Sequence, residues 1–163
     1  MTELNIKGLS SNDCWDFENG FHWFGDTTRL AKIISHWEII KLTANIPGDI
    51  FEFGVFKANS FIRLCTFRDM LEPSHSKKIV GFDIFGKFPV NLTSSRLDQS
   101  FASFHDNHAG PGLDCSDVEK ILEYKKFSNV SLVKGDIFET LPKYLEENPA
   151  TRISLLHLDM DIY

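Results

Sequence analysis

Hydrophobic positions in this chain change period several times, and each change marks an element. After Asp26, Leu30, Ile33, Ile34, Trp37 and Ile40 recur at three- and four-residue spacing and stop before Pro47-Gly48, which predicts a capped amphipathic helix with Ile33 and Trp37 on its core face. The period then shortens. Ile50 to Val55 reads as a strand, Ser60 to Leu71 as a helix and Lys78 to Asp83 as a strand rich in β-branched and aromatic residues, together a β-α-β unit. A polar stretch follows, broken by Gly86, Pro89, Gly110, Pro111 and Gly112 around a short helix. Ser116 with Glu119 makes a capping box that opens a helix to about Phe127, and Val130 to Lys134 reads as a third strand. Leu141 to Glu147 predicts a helix with Pro142 in its first turn, and Arg152 to Asp159 a fourth strand.

This alternation predicts an α/β fold: a mostly parallel sheet with helices on both faces and right-handed crossovers. Two regions stand apart from it. The first 25 residues form an arm crowded with Trp15, Phe17, Phe21, Trp23 and Phe24. Aromatics this dense pack on something, and the expectation is an arm stapled to its own core, with a substrate lid or a subunit contact as the alternatives. The last strand carries the apolar run Ile153 to Leu158, the pattern of a strand buried on both faces, yet the sequence stops at Tyr163. The expectation is therefore that another chain covers its edge or that these residues are the first half of a longer fold.

Composition narrows the partners. The 163 residues suit one domain, and 42% hydrophobic with 25% charged residues is ordinary globular usage. Seventeen Lys and Arg against 23 Asp and Glu give a net charge of −6, which argues against nucleic acid and other acidic partners. The apolar runs are far shorter than the roughly 20 residues of a membrane span, and no signal-peptide core opens the chain, so a cytoplasmic protein without a membrane partner is expected. Cys14, Cys65 and Cys115 are odd in number and lack C-x-x-C spacing, which suits reduced thiols. The sequon Asn91-Leu92-Thr93 is read as chance.

Ligands of open α/β sheets bind beyond the carboxyl ends of the strands, and four such ends carry candidate chemistry. Gly54 permits a tight turn before a helix that offers free N–H groups, with Ser60 adding a hydroxyl. Asp83 closes the second strand where an acid can accept from ribose hydroxyls. Lys134-Gly135-Asp136 closes the third, where Asp136 is either a helix cap or a ligand group, and Leu158-Asp159-Met160-Asp161 closes the fourth. His157 alternates with Asp159 and reads as a satisfied core histidine, while His105-x-x-His108 reads as a solvated face.

Glu52-x-Gly54-x-Phe56-x-x-x-Ser60, Gly81-Phe82-Asp83-x-Phe85, Lys134-Gly135-Asp136 with Thr140-Leu141-Pro142, and Leu158-Asp159-Met160-Asp161-Ile162-Tyr163 together resemble the macrocin O-methyltransferase (TylF-like) family of class I S-adenosylmethionine-dependent methyltransferases. The resemblance runs along nearly the whole chain and includes the arm at Asp16 to Phe21. It implies an N-terminal aromatic arm and helix over 1–46 and a Rossmann-like S-adenosylmethionine-binding core over 47–163, truncated after the fourth strand. Gly54, Phe56 and Ser60 would cradle the methionine part of the cofactor, Glu52 would support that loop, Asp83 would hold the ribose and Asp136 would lie near the adenine. Asp159 would bind Mg2+ and help deprotonate the acceptor hydroxyl of a sugar or glycosylated small molecule. A homo-oligomer is expected on the same ground.

The chain departs from the family at Ala58, where many relatives have glycine, and it lacks the acidic pair that completes the family's metal site. The metal site is thus expected to be incomplete, and the alternative reading is a truncated, non-catalytic relative serving as an interaction module or inactive fragment. A nicotinamide dehydrogenase would require G-x-G-x-x-G, whereas Gly54, Phe56 and Asn59 stand at those positions.

Overall fold

The computed structural model describes residues 3–87, 100, 104 and 107–160. The chain opens with a small antiparallel hairpin, β1 (Asn5–Ile6) and β2 (Leu9–Ser10), followed by a 3-10 turn and α1 (Cys14–Phe24). Next comes α2 (Thr27–Thr43), capped as expected by Asp26, whose carboxylate accepts the Thr28 N–H at 2.8 Å. Four parallel strands then make the sheet: β3 (Asp49–Phe53), β4 (Ile79–Asp83), β5 (Val130–Lys134) and β6 (Ile153–Leu158). The helices α3 (Asn59–Leu71), α4 (Cys115–Tyr124) and α5 (Ile137–Glu147) lie between them in sequence.

The strand order is β5-β4-β3-β6, so the chain reverses direction of travel across the sheet after β5. Alternate residues of the two central strands feed opposite cores. Ile50 and Ile79, paired in register, face a cluster with Ile40, Phe61, Leu64, Val118 and Leu122 from α2, α3 and α4. Phe51, Phe53, Val80 and Phe82 face the other side, against Leu141 and Tyr144 of α5. Burial of both faces explains why these strands are nearly continuously apolar. Two buried cations stitch the amino ends of the strands. Arg68 donates to the carbonyls of Lys77, Ser128 and Asn129, and Lys77 donates to Ile46 O and, at 3.3 Å, to the Ser154 hydroxyl.

The structure departs from the sequence reading at four places. No residue of α1 is buried, and Trp15, Trp23 and Phe24 are 73%, 69% and 84% exposed, so the aromatics do not staple the arm to its own core. The hairpin is the anchor instead: Ile6 packs on the core, and Lys7 Nζ lies 3.2 Å from Asp114 and 3.6 Å from Asp117. The apolar run of β6 is not buried on both faces; among the described residues it pairs with β3 alone, leaving Leu158 60% exposed. Helix α4 opens one residue before Ser116, with Asp114 in the cap position. Helix α5 begins at Ile137, earlier than Leu141, because the Asp136 carboxylate accepts the Phe138 N–H at 2.9 Å, which leaves Pro142 inside the helix. The Asn91 sequon, His105 and Asp161 to Tyr163 lie outside the described residues.

Candidate functional site

The carboxyl ends of all four parallel strands meet at one rim. The loop from β3 to α3 turns through three left-handed residues, Gly54 (φ +91°), Phe56 (φ +50°) and Ala58 (φ +59°). Gly54 is the position that most demands this freedom: a β-carbon there would fall on the carbonyl oxygen of Asp159 and 2.8 Å from its carbonyl carbon. Backbone bonds fix the same junction, from Gly54 N to Phe82 O and from Asp159 N to Phe53 O, both at 2.9 Å.

Asp83 closes the loop from the other side. Its Oδ2 accepts the N–H groups of Val55 at 2.6 Å and Phe56 at 2.8 Å, and its Oδ1 accepts that of Phe85 at 2.6 Å. A second layer follows, in which Leu113 N donates to Phe56 O and Gly112 N to Gly86 O, so residues 110–113 wall the loop. Asp136 stands beside this group through the Gly135 N–H, which donates to Asp83 O at 2.9 Å. Ser60 lies in the first turn of α3.

Beneath the loop, Glu52 is fully buried and its Oε1 lies 3.0 Å from His157 Nδ1. Its Oε2 is buried without a hydrogen bond; Ser60 favours the ionised form but closes no hydrogen bond to that oxygen. Burial pushes the Glu52 carboxyl above its usual range, and the hydrogen bond to Glu52 raises His157. His36 of α2 meets the His157 ring edge-on at 5.0 Å and lies 3.3 Å from Arg63 Nη1. Burial first, then the charges of His157 and Arg63, lower its pKa to about 4. One turn earlier on α2, Lys32 Nζ lies 3.5 Å from Asp159 Oδ2.

The structure thus brings Glu52, Gly54, Phe56, Ser60, Asp83, Asp136 and Asp159 to one end of the sheet. Sequence reasoning missed Lys32, His36 and Arg63; the signal was the four-residue step from Lys32 to His36 to Ile40, read only for its apolar members. It also missed that Asp83 organises backbone, whereas the helix-cap alternative read for Asp136 is the one its bond to the Phe138 N–H realises.

Two fits can be tested on these side chains. A buried, unpartnered Glu52 Oε2 beside a glycine turn and a free helix start suits a ligand carrying a cationic donor, as the methionine end of S-adenosylmethionine does. Magnesium fits less well. Asp159 offers one carboxylate, that carboxylate is ion-paired to Lys32, and among the described residues no three His, Cys, Asp or Glu side chains converge to hold a metal. His108 stacks instead on Phe104.

No protein-family model and no curated protein sequence matches the chain. Solved structures do. The calicheamicin methyltransferase CalS11 is 25% identical with a TM-score of 0.70, covering 92% of this chain and 61% of its own. An apo structure of CalS11, described as a TDP-rhamnose 3'-O-methyltransferase of calicheamicin biosynthesis, is 27% identical with a TM-score of 0.58 over 92% of this chain and 59% of its own. The O-methyltransferase NovP, at 21% identity and a TM-score of 0.59 over 82% of this chain and 53% of its own, shares the fold. CalS11 upholds the O-methyltransferase family resemblance, and all three structures uphold the Rossmann-like sheet expected from the motifs. The chain spans about three-fifths of CalS11. Among the described residues no helix is long and apolar enough to cross a membrane.

Proposed function

We propose that this chain binds S-adenosylmethionine at the rim of Glu52, Gly54, Phe56, Ser60, Asp83 and Asp136, and serves transfer of its methyl group to a hydroxyl of a sugar or glycosylated small molecule. The observation that carries the reading is the buried Glu52 carboxylate, one oxygen bound to His157 and the other unpartnered at the foot of the glycine turn. A buried acceptor without a donor destabilises the fold by about 1–3 kcal/mol unless a ligand donor satisfies it. The sugar-like acceptor is supported by CalS11, described as a TDP-rhamnose 3'-O-methyltransferase.

When bound, the cofactor supplies an electrophilic methyl on a sulfonium. The chain's residues do the rest. Glu52 anchors the cationic donor, Asp83 holds the loop closed over it and offers a remaining lone pair to ribose, and Asp136 borders the adenine. Asp159, fixed through its own backbone beside Gly54, takes the acceptor proton as the oxygen attacks in line. A homo-oligomer in the cytoplasm remains part of the proposal.

Calorimetric titration with S-adenosylhomocysteine, with and without Mg2+, tests the binding site. Binding that Glu52→Gln and Asp83→Ala weaken tenfold or more supports the rim. No binding by a folded chain, or binding indifferent to both substitutions, overturns it.

A further inference from the structure

The rim carboxylate that the family resemblance reserves for a metal already has a cation, and α2 supplies it. Lys32, His36 and Ile40 sit at successive four-residue steps on α2, while Asp159, His157 and Leu155 sit at successive two-residue steps on and just beyond β6. Lys32 meets Asp159 at 3.5 Å, His36 meets His157 at 5.0 Å, and Ile40 shares a core cluster with Leu155. The match is geometric: four helical residues rise about 6 Å and two strand residues about 6.6 Å. The Lys32–Asp159 contact is therefore the outermost rung of a registered helix-on-strand packing. Asp159 is fixed on its own side as well, by its N–H to Phe53 O and by the fit of its carbonyl against Gly54.

We propose that Lys32 is the resident counter-ion of Asp159, and that a divalent cation reaches this carboxylate only by displacing the ammonium. The inference rests on Asp159 as a cation-binding carboxylate and not on methyl transfer. A dication at Asp159 must break the ion pair and stand close to a like charge. Both side chains are partly exposed, at 51% and 39%, so the effect is modest: about five- to tenfold in metal affinity.

The test is titration of the 163-residue chain with Mn2+, followed by the electron paramagnetic resonance of the free ion. Lys32→Met and the more conservative Lys32→Gln are compared with wild type and with Lys32→Met/Asp159→Asn, circular dichroism confirming the fold of each. The expected result is tighter Mn2+ binding in both Lys32 variants, by about five- to tenfold, and loss of that gain in the double variant. Equal affinity in wild type and both Lys32 variants overturns the proposal, as does a gain that survives Asp159→Asn. S-adenosylhomocysteine titrated into the same samples separates the two readings. Tightened Mn2+ binding without S-adenosylhomocysteine binding supports this inference and counts only against the methyltransferase one.

Discussion

The carbonyl oxygen of Asp159 stands where a β-carbon on Gly54 would be. A glycine after a strand reads from sequence as room for a ligand, yet the first thing it admits is the backbone of β6's end. Gly54→Ala must adopt φ +91° and push that backbone aside, so it should lower stability by at least about 2 kcal/mol in urea unfolding. Gly20→Ala is the control. A β-carbon there meets nothing within 4 Å inside α1, so it should leave the midpoint unchanged or slightly raised. Equal effects of the two substitutions would show that the junction is not under this constraint.

Asp83 offers a second test of the loop. Its carboxylate takes three backbone N–H groups, and an asparagine has one acceptor oxygen and an amide that cannot accept. Asp83→Asn should cost about 2 kcal/mol or more in thermal unfolding and weaken S-adenosylhomocysteine binding at least tenfold by calorimetry. Stability unchanged with binding lost would assign Asp83 to the ligand alone.

The contrast between these residues shows what the sequence could reveal. β3 and β4 were legible because strands buried on both faces are written as apolar runs, and β5 by its β-branched residues between turn signals, whereas the order β5-β4-β3-β6 comes from the structure. Asp83, Asp136 and Asp159 were legible as strand-end acids. Their partners were not: Val55 and Phe56 use backbone N–H groups, which any sequence supplies, and Lys32 lies 127 positions before Asp159, by the numbering. The exposure of α1 was also hidden, since aromatic density signals a need to pack without naming the surface.

His36 gives the fold a defined acid sensitivity. In the folded chain its pKa is lowered from 6.5 to about 4, by burial first and then by His157 and Arg63, while an unfolded histidine protonates near its ordinary value. A depressed pKa means that full stability holds above pH 6.5 and is lost as pH falls toward 4, because only the unfolded state readily takes the proton. The loss should reach on the order of 2 kcal/mol over that window. His157 and Glu52 are both raised and titrate with opposite sign, each favouring the folded state toward lower pH. The informative quantity is therefore the difference between wild type and His36→Gln, measured by urea unfolding at several pH values. That difference should shrink steadily between pH 6.5 and 4; a flat difference would show that His36 titrates normally.

β6 makes the last prediction. Among the described residues it pairs with β3 on one side only, and Ile153, Leu156 and Leu158 are 42%, 44% and 60% exposed. A strand with unpaired N–H and C=O groups beside exposed leucines is a template for another chain. The 163-residue chain should therefore scatter light as a species heavier than its 18.7 kDa monomer, increasingly so with concentration. The aromatics of α1 compete as a cause, and two variants separate them. Leu156→Lys places a charge on the edge strand and should restore monomer if β6 drives association, whereas Trp15→Ser should do so if α1 does. A monodisperse monomer at high concentration in the wild type would overturn both, since neither surface would then attract a second copy.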